Sequence, residues 1–188
     1  MLRKLRRAGH RVSTFAYFVS VDSFEAIRQR LHTRIRALAV QGDYCLIGHS
    51  LGGVLLRAAL ADASDLARPP RRVFLLGSPV RPSRLAARLK DNWLYRLATR
   101  DCGQLLASPE RMAAVPKLVS PTTVVLGTRG LHGRWSPFGR EANDGLVSAD
   151  EVLPPWPCAC VEVPVFHTFL PAHRDVAAVV LRALDAAT

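Results

Sequence analysis

A Gly-x-Ser-x-Gly pentapeptide at positions 48–52 constrains the fold of this chain more than any other feature. An apolar run, residues 44–47, precedes it, and a helix-forming segment, residues 54–61, follows it. Two glycines at such a junction let a strand reverse sharply into a helix, because side chains there would clash. The pattern therefore predicts Ser50 as an exposed nucleophile on a strained turn, a nucleophile elbow. The alternative is an ordinary serine in a glycine-rich strand-to-helix loop.

The helix that follows Ser50 gives the elbow a second predicted property. Backbone N–H groups in the first turn of a helix have no partner inside the helix, and the helix dipole is positive at that end. The N–H of Leu51 is therefore predicted to stabilise an oxyanion that forms beside Ser50. Gly48, His49 and Gly52 complete the elbow, and His49 is interpreted as structural.

Length and composition favour one globular domain over residues 1–188. Hydrophobic residues make up 49% of the chain and charged residues 22%. No apolar run approaches the ~20 residues of a membrane-spanning helix. The basic residues 1–7 resemble the start of a signal peptide, but no apolar segment follows them. The chain as given is therefore expected to be cytoplasmic.

The formal net charge of +11 raises nucleic acid and anionic membranes as partners. The basic residues are spread from Arg3 to Arg182, and no nucleic-acid-binding motif accompanies them. A solvated basic surface is the favoured interpretation, with no nucleic acid expected as a partner. Peripheral contact with an anionic membrane stays open, and the sequence does not indicate an oligomeric state.

The cysteines favour neither a disulfide framework nor a metal site. Cys158 and Cys160 form a Cys-x-Cys pair without a second pair at metal-ligand spacing, and Cys45 lies in an apolar segment. Together with Cys102, they are interpreted as reduced thiols.

Apolar segments that alternate with helical patterns predict an α/β fold, a mostly parallel sheet with helices on both faces. The expected strands are residues 11–19, 43–48, 72–76, 122–126 and 160–165. The expected helices are residues 1–9, 22–40, 54–61 and 172–186, the second opened by a capping box of Asp22 and Glu25. Residues 83–117 form a long, mostly helical connection, for which a lid over the site and plain packing are equal alternatives.

Ser50 needs a base and a carboxylate to act as a nucleophile, and the chain supplies both after later strands. Asp144 follows the fourth expected strand through a loop, and His167 follows the last strand directly. In a parallel sheet such positions lie at one edge, where ligands bind. Ser50, Asp144 and His167 are therefore the candidate catalytic residues.

Each of these assignments has alternatives. Asp144, in an Asn-Asp-Gly sequence, could be a turn residue, and the other candidate carboxylates are Glu141, Asp150 and Glu151. His167 could be structural, in which case His173 competes for its role. His32 is interpreted as a structural residue and His132 as a loop residue.

These residues resemble motifs of the α/β-hydrolase superfamily, in particular its small bacterial lipase-like and esterase-like members. The matching pieces are residues 48–53, Gly-Ser-Pro at 77–79, Asn-Asp-Gly-Leu-Val at 143–147 and His-Thr-Phe-Leu at 167–170, and the likeness spans roughly residues 10–185. The resemblance implies a carboxylic ester as substrate, from lipids or small acyl compounds. It implies an acyl-enzyme on Ser50, proton transfer by His167, orientation of His167 by Asp144, and no metal or organic cofactor.

The chain departs from that family at its start. Such hydrolases have an earlier strand and a His-Gly-type loop that supplies a second oxyanion donor, whereas this chain begins within the helix that follows them. We expect a start that lies upstream of Met1, the alternative being a shortened form with weak activity.

Three functions remain as hypotheses. The first is hydrolysis of carboxylic esters by the three candidate residues. The second keeps the same site but transfers the acyl group to another acceptor or cleaves thioesters. The third is a non-catalytic basic protein that binds an anionic membrane or another polyanion.

Overall fold

Four short apolar segments form one parallel sheet in the computed structural model, which describes residues 1–61, 63–134 and 136–185. The sheet has the order β1-β2-β3-β4, in which every neighbouring pair is parallel. The predicted α/β class with a mostly parallel sheet is therefore confirmed. The strands are β1 (Cys45–His49), β2 (Arg72–Leu76), β3 (Thr122–Gly127) and β4 (Ala159–Val163).

Helices cover both faces of this sheet. The eight described helices are α1 (Leu2–Arg7), α2 (Phe24–Gln41), α3 (Leu51–Ala59), α4 (Arg84–Leu89), α5 (Trp93–Ala107), α6 (Pro109–Ala114), α7 (Ala149–Val152) and α8 (Arg174–Asp185). Single 3₁₀ turns lie at Ala63–Asp65 and His167–Phe169. Among the described helices, none combines the length and the hydropathy that crossing a bilayer requires.

Strand β2 shows how the two faces divide the core. Val73 and Leu75 belong to the core beneath α2 and α3, whereas Phe74 and Leu76 belong to the core that includes α1 and α8. Successive side chains of a strand point to opposite faces, so a strand covered on both sides must be apolar throughout. This explains why residues 72–76 show no alternation and why their boundaries could be predicted.

The strand predicted over residues 11–19 is wrong. This segment is extended between α1 and α2, and Phe15, Tyr17 and Val19 pack against the core beneath α2 and α3. It belongs to no described strand, because strand pairing needs a neighbour along its length and the sheet ends at β1. The β-branched and aromatic residues that suggested a strand indicate a tendency to extended, packed backbone, but not whether that backbone is paired.

The capping box predicted for α2 is also wrong. Ser23 is the N-cap, and its hydroxyl accepts a hydrogen bond of 3.2 Å from the N–H of Ala26. The Glu25 carboxylate instead binds Arg28, while Asp22 pairs with Arg30. A capping box does occur at α7, a helix the sequence did not predict.

The connection over residues 83–117 is mostly helical, as predicted, and consists of α4, α5 and α6. Its hydrophobic side chains contribute to the core, since Cys102, Leu105 and Met112 are buried beside the residues of α2 and α3. The segment therefore packs onto the body of the domain through part of its length. Whether it also serves as a lid stays a prediction.

Substituting Ile35 tests how much the core beneath α2 contributes to the free energy of unfolding. Its side chain is fully buried, whereas Val40 on the same helix is exposed. We expect Ile35→Ala to lower the free energy of unfolding by about 2–5 kcal/mol, because it leaves a cavity. Val40→Ala should change it by less than about 0.5 kcal/mol, as surface substitutions do. Urea denaturation measures both, and equal effects would contradict this division of the core.

Candidate active site

The backbone at Ser50 is strained in the manner expected of an elbow. Ser50 has φ 52° and ψ −127°, a conformation rare for residues other than glycine. Its N–H donates a hydrogen bond of 3.0 Å to the carbonyl of Leu76, which ties the turn to β2. Because such strain costs on the order of 1–3 kcal/mol, it persists only where the surrounding structure enforces it.

Close packing between β1 and α3 explains why glycine stands on both sides of this serine. A Cβ on Gly48 would lie 2.6 Å from the Cα of Gly53, and one on Gly53 would lie 2.2 Å from the Ser78 hydroxyl. Gly52, in contrast, has room for a Cβ. Of the two glycines in the pentapeptide, Gly48 is therefore sterically required in this structure and Gly52 is not, whereas Gly53 is.

Asp144 and His167 form a buried pair. The Nδ1 atom of His167 lies 2.7 Å from Oδ2 of Asp144, and both side chains are at most 5% exposed. The other carboxylate oxygen accepts hydrogen bonds from the N–H groups of Leu146 and Val147, at 3.0 and 2.9 Å. A carboxylate only accepts hydrogen bonds, so Nδ1 of His167 donates. In the neutral ring, Nε2 is then left with the lone pair that can take up a proton.

His49 connects this pair to the elbow. Its Nε2–H donates to the backbone carbonyl of His167 over 3.1 Å, and the two imidazole rings lie 4.7 Å apart between centroids. His49 precedes Ser50 directly, so the structure brings Ser50, His167 and Asp144 to the same rim of the sheet. The Ser50 hydroxyl itself makes no hydrogen bond to any described residue.

The alternative carboxylates are engaged elsewhere. Glu151 accepts hydrogen bonds from the N–H groups of Ser148 and Arg84, and Glu141 pairs with the Arg84 guanidinium. Asp150 is more than half exposed and binds Arg81. None of the three contacts His167.

The alternative histidines also lie outside the pair. His173 faces Asp175 at 3.8 Å, and His32 bridges the carbonyl of Ala59 and the carboxylate of Asp65. His132 is an exposed loop residue. Of these histidines and His167, only His167 contacts Asp144.

Two backbone features complete the rim. The N–H of Leu51, at the first position of α3, has no acceptor among the described residues. Gly77 follows β2 with φ 52°, and a Cβ there would lie 2.9 Å from Oδ2 of Asp144 and 3.1 Å from Nδ1 of His167. The missing side chain at Gly77 therefore allows the buried pair to sit directly against the end of β2.

Tyr17 is a candidate that the sequence analysis did not identify. Its hydroxyl lies 3.7 Å from the position a Cβ would take on Gly52, in the first turn of α3. Burial raises the pKa of the Tyr17 phenol, and the nearby Cys102 raises it further. The phenol therefore keeps its proton at neutral pH and can donate it in a hydrogen bond. No motif marks Tyr17, because its place depends on how an unpaired segment crosses the elbow.

An open cleft of about 450 Å³ lies next to the segment that carries His167, and its lining includes neither His167 nor Asp144 nor Ser50. It is formed by the segments on either side of His167 and by the loop after β3, and Arg129 extends over the ring of Phe166 at 5.7 Å. The lining is mainly apolar and consists of Arg129, Pro164, Val165, Phe166, Phe169, Ala172 and His173.

Metal and disulfide chemistry find no support in these side chains. Across residues 1–61, 63–134 and 136–185, no three His, Cys, Asp or Glu side chains cluster as metal ligands. All four cysteines are free thiols, as predicted.

A parallel sheet wrapped by helices, with a strained serine after one strand and a His–Asp pair after later ones, defines the class: this is an α/β-hydrolase fold. No protein-family model matches the chain, and no curated protein matches it in sequence. Solved structures do resemble it. The mature form of Bacillus licheniformis lipase BlEst2 is 19% identical to this chain and superposes on it with a TM-score of 0.54. The match covers 80% of this chain and 74% of the lipase chain.

Two further structures extend the likeness. Phospholipase PlaB from Legionella pneumophila is 11% identical and gives a TM-score of 0.61 over 95% of this chain, which spans only 54% of PlaB. RedJ thioesterase of the prodiginine biosynthetic pathway in Streptomyces coelicolor is 20% identical, with a TM-score of 0.54 over 89% of this chain and 68% of its own. At such identities the likeness establishes the fold.

The buried position of His49 predicts a pH dependence of stability. Burial and the neighbouring His167 lower the pKa of His49 below its ordinary value of about 6.5. The unfolded chain then binds a proton more readily than the folded one, so the free energy of unfolding falls as the pH falls through about 6.5. We expect His49→Gln, which keeps an N–H donor, to reduce this loss between pH 7 and pH 5. Urea titrations at both pH values measure it, and an unchanged loss would contradict the assignment.

Proposed function

We propose that this chain is a serine hydrolase that cleaves carboxylic esters through an acyl-enzyme on Ser50. The observation that carries the proposal is the buried hydrogen bond of 2.7 Å between Asp144 and His167, beside a serine held in a strained turn. Asp144 has no arginine or lysine partner among the described residues, and a carboxylate directed at an imidazole in this way orients a general base.

The reaction follows from these positions. Nε2 of His167 accepts the hydroxyl proton of Ser50 while Oγ attacks the ester carbonyl carbon. The tetrahedral oxyanion is stabilised by the N–H of Leu51, which donates to no acceptor in the described part of the chain. His167 returns the proton to the leaving alkoxide as the C–O bond breaks. Water then attacks the acyl-enzyme with His167 again as base, which releases the acid and restores Ser50.

The Ser50 hydroxyl has to meet His167 for the first step. Ser50 directly follows His49, whose ring lies 4.7 Å from that of His167 between centroids, so the elbow adjoins the proposed base. Catalytic hydrogen bonds are often formed only once substrate is bound.

Thioester hydrolysis is a second candidate, because it needs the same three residues. The names of the similar structures, a lipase, a phospholipase and a thioesterase, support both reactions at the level of ester and thioester cleavage. Parallel assays with p-nitrophenyl butyrate, p-nitrophenyl octanoate and an acyl-thioester of N-acetylcysteamine distinguish them. Adding an alcohol acceptor and analysing the products separates hydrolysis from acyl transfer.

Substituting Ser50 tests the mechanism directly. We expect Ser50→Ala to lower the rate of ester cleavage by at least ~10³-fold, because the nucleophile is lost. The matched control is Ser13→Ala, in an exposed position, which should keep the wild-type rate. A fluorophosphonate probe should label the wild type on the peptide that contains Ser50 and leave Ser50→Ala unlabelled. Equal rates and equal labelling above background would exclude Ser50 as the nucleophile, and a wild type that neither cleaves nor is labelled would favour a non-catalytic binding protein.

We further propose the Tyr17 hydroxyl as the second oxyanion donor, because it lies beside the first turn of α3. Tyr17→Phe removes only this hydroxyl and should lower kcat by ~10²-fold with little change in KM. Tyr44→Phe is the control, since the Tyr44 hydroxyl donates to the carbonyl of Arg68. A wild-type kcat in Tyr17→Phe would assign Tyr17 to packing alone.

A further inference from the structure

The first half of α5 exposes three large apolar side chains on one side. Trp93, Leu94 and Leu97 are 69%, 56% and 58% exposed. Residues one, three and four positions apart fall on neighbouring parts of a helix surface, so the three form one apolar strip.

The other side of α5 faces the domain. Tyr95 and Thr99 are half-buried, and Cys102 is buried in the core beneath α2 and α3. Between the two halves of the helix, Arg100 leaves helical geometry with φ 41° and ψ −129°. The opposite side and the second half of α5 therefore attach the helix to the domain. The apolar strip is not the side through which α5 packs on it.

Four cations lie close to the strip along the chain. Arg88, Lys90, Arg96 and Arg100 are all exposed, and none of them forms an ion pair with a described carboxylate. Other arginines of the same connection are paired, Arg84 with Glu141 and Arg111 with Asp101. Asp91 is the only acidic residue over positions 88–100, which therefore carry a net charge of +3.

We infer that this surface, Trp93, Leu94 and Leu97 with Arg88, Lys90, Arg96 and Arg100, binds an anionic lipid bilayer. An apolar strip within a ring of cations matches the two layers of a membrane surface, hydrocarbon below and negatively charged headgroups above. A tryptophan suits the boundary between the two layers. Nucleic acid would satisfy the cations but leave the apolar side chains in water.

The helix that carries the surface also reaches the core beneath α2 and α3, where Cys102 and Leu105 are buried. The binding itself requires none of the candidate catalytic residues, so it stands or fails separately from the proposed esterase activity.

Vesicle sedimentation tests the inference with the full chain at ~0.1 M salt. We expect the wild type and Ser50→Ala to bind vesicles of equal parts phosphatidylglycerol and phosphatidylcholine at least tenfold more tightly than vesicles of phosphatidylcholine alone. Leu94→Ser/Leu97→Ser should weaken that binding at least tenfold. Lys90→Gln/Arg96→Gln should do the same, since each basic residue near an anionic membrane contributes separately to binding.

Matched controls remove the same chemistry elsewhere on the surface. Val40→Ser/Val119→Ser replaces two exposed aliphatic residues, and Arg34→Gln/Arg182→Gln replaces two exposed arginines without a described ion pair. Both should bind like the wild type. All eight positions are exposed, and the circular dichroism spectrum and urea midpoint of each variant verify that it is folded.

Three outcomes would overturn the inference. The first is a wild type that does not bind the anionic vesicles. The second is control variants that lose as much binding as the α5 variants, which would assign the effect to overall charge and hydrophobicity. The third is binding that depends on the arginines but not on Leu94 and Leu97, which would indicate a general polyanion site, and competition by RNA would then identify nucleic acid as its ligand.

Discussion

The contact between β1 and α3 is the constraint on which the candidate site depends. A strand and a helix can cross at the distance seen here only without side chains at the crossing, which is why Gly48 and Gly53 face each other. That crossing forces the intervening turn to be tight, and Ser50 takes the positive φ that results. In the structure Ser50 is half-buried at this turn and not exposed as predicted, because the elements on either side of it are closely packed.

The second half of the site is held by interactions of a different kind. Asp144 and His167 come from two loops after β3 and β4, and they are joined by a backbone hydrogen bond of 2.9 Å as well as by their side chains. Because Gly77 has no side chain, this pair lies directly against β2. His49 then joins the pair to the elbow. The site therefore combines one locally encoded turn with one long-range contact.

This division explains what the sequence could and could not predict. The apolar runs of β2 and β3 and the Gly-x-Ser-x-Gly turn are local signals, and the class of fold followed from them. Residues 11–19 carry the pattern of a strand, but pairing depends on a neighbour that the pattern does not describe. Among four acidic residues near position 144, no local feature distinguishes the one that faces His167. Tyr17 could not be predicted for the same reason, since only its position beside α3 in the folded chain distinguishes it.

The net charge of +11 shows the same limit at the surface. Composition counts every arginine alike, and an even, solvated distribution was the simplest interpretation. In the folded chain, however, some arginines are paired with carboxylates, as Arg84 is with Glu141, whereas Arg96 and Arg100 pair with no carboxylate among the described residues. A paired cation contributes little to the field at a distance, and an unpaired one beside exposed apolar side chains contributes most. For the field at the surface, the position of the unpaired cations therefore matters more than the net charge, and several of them lie on or near α5, the helix that also exposes Trp93.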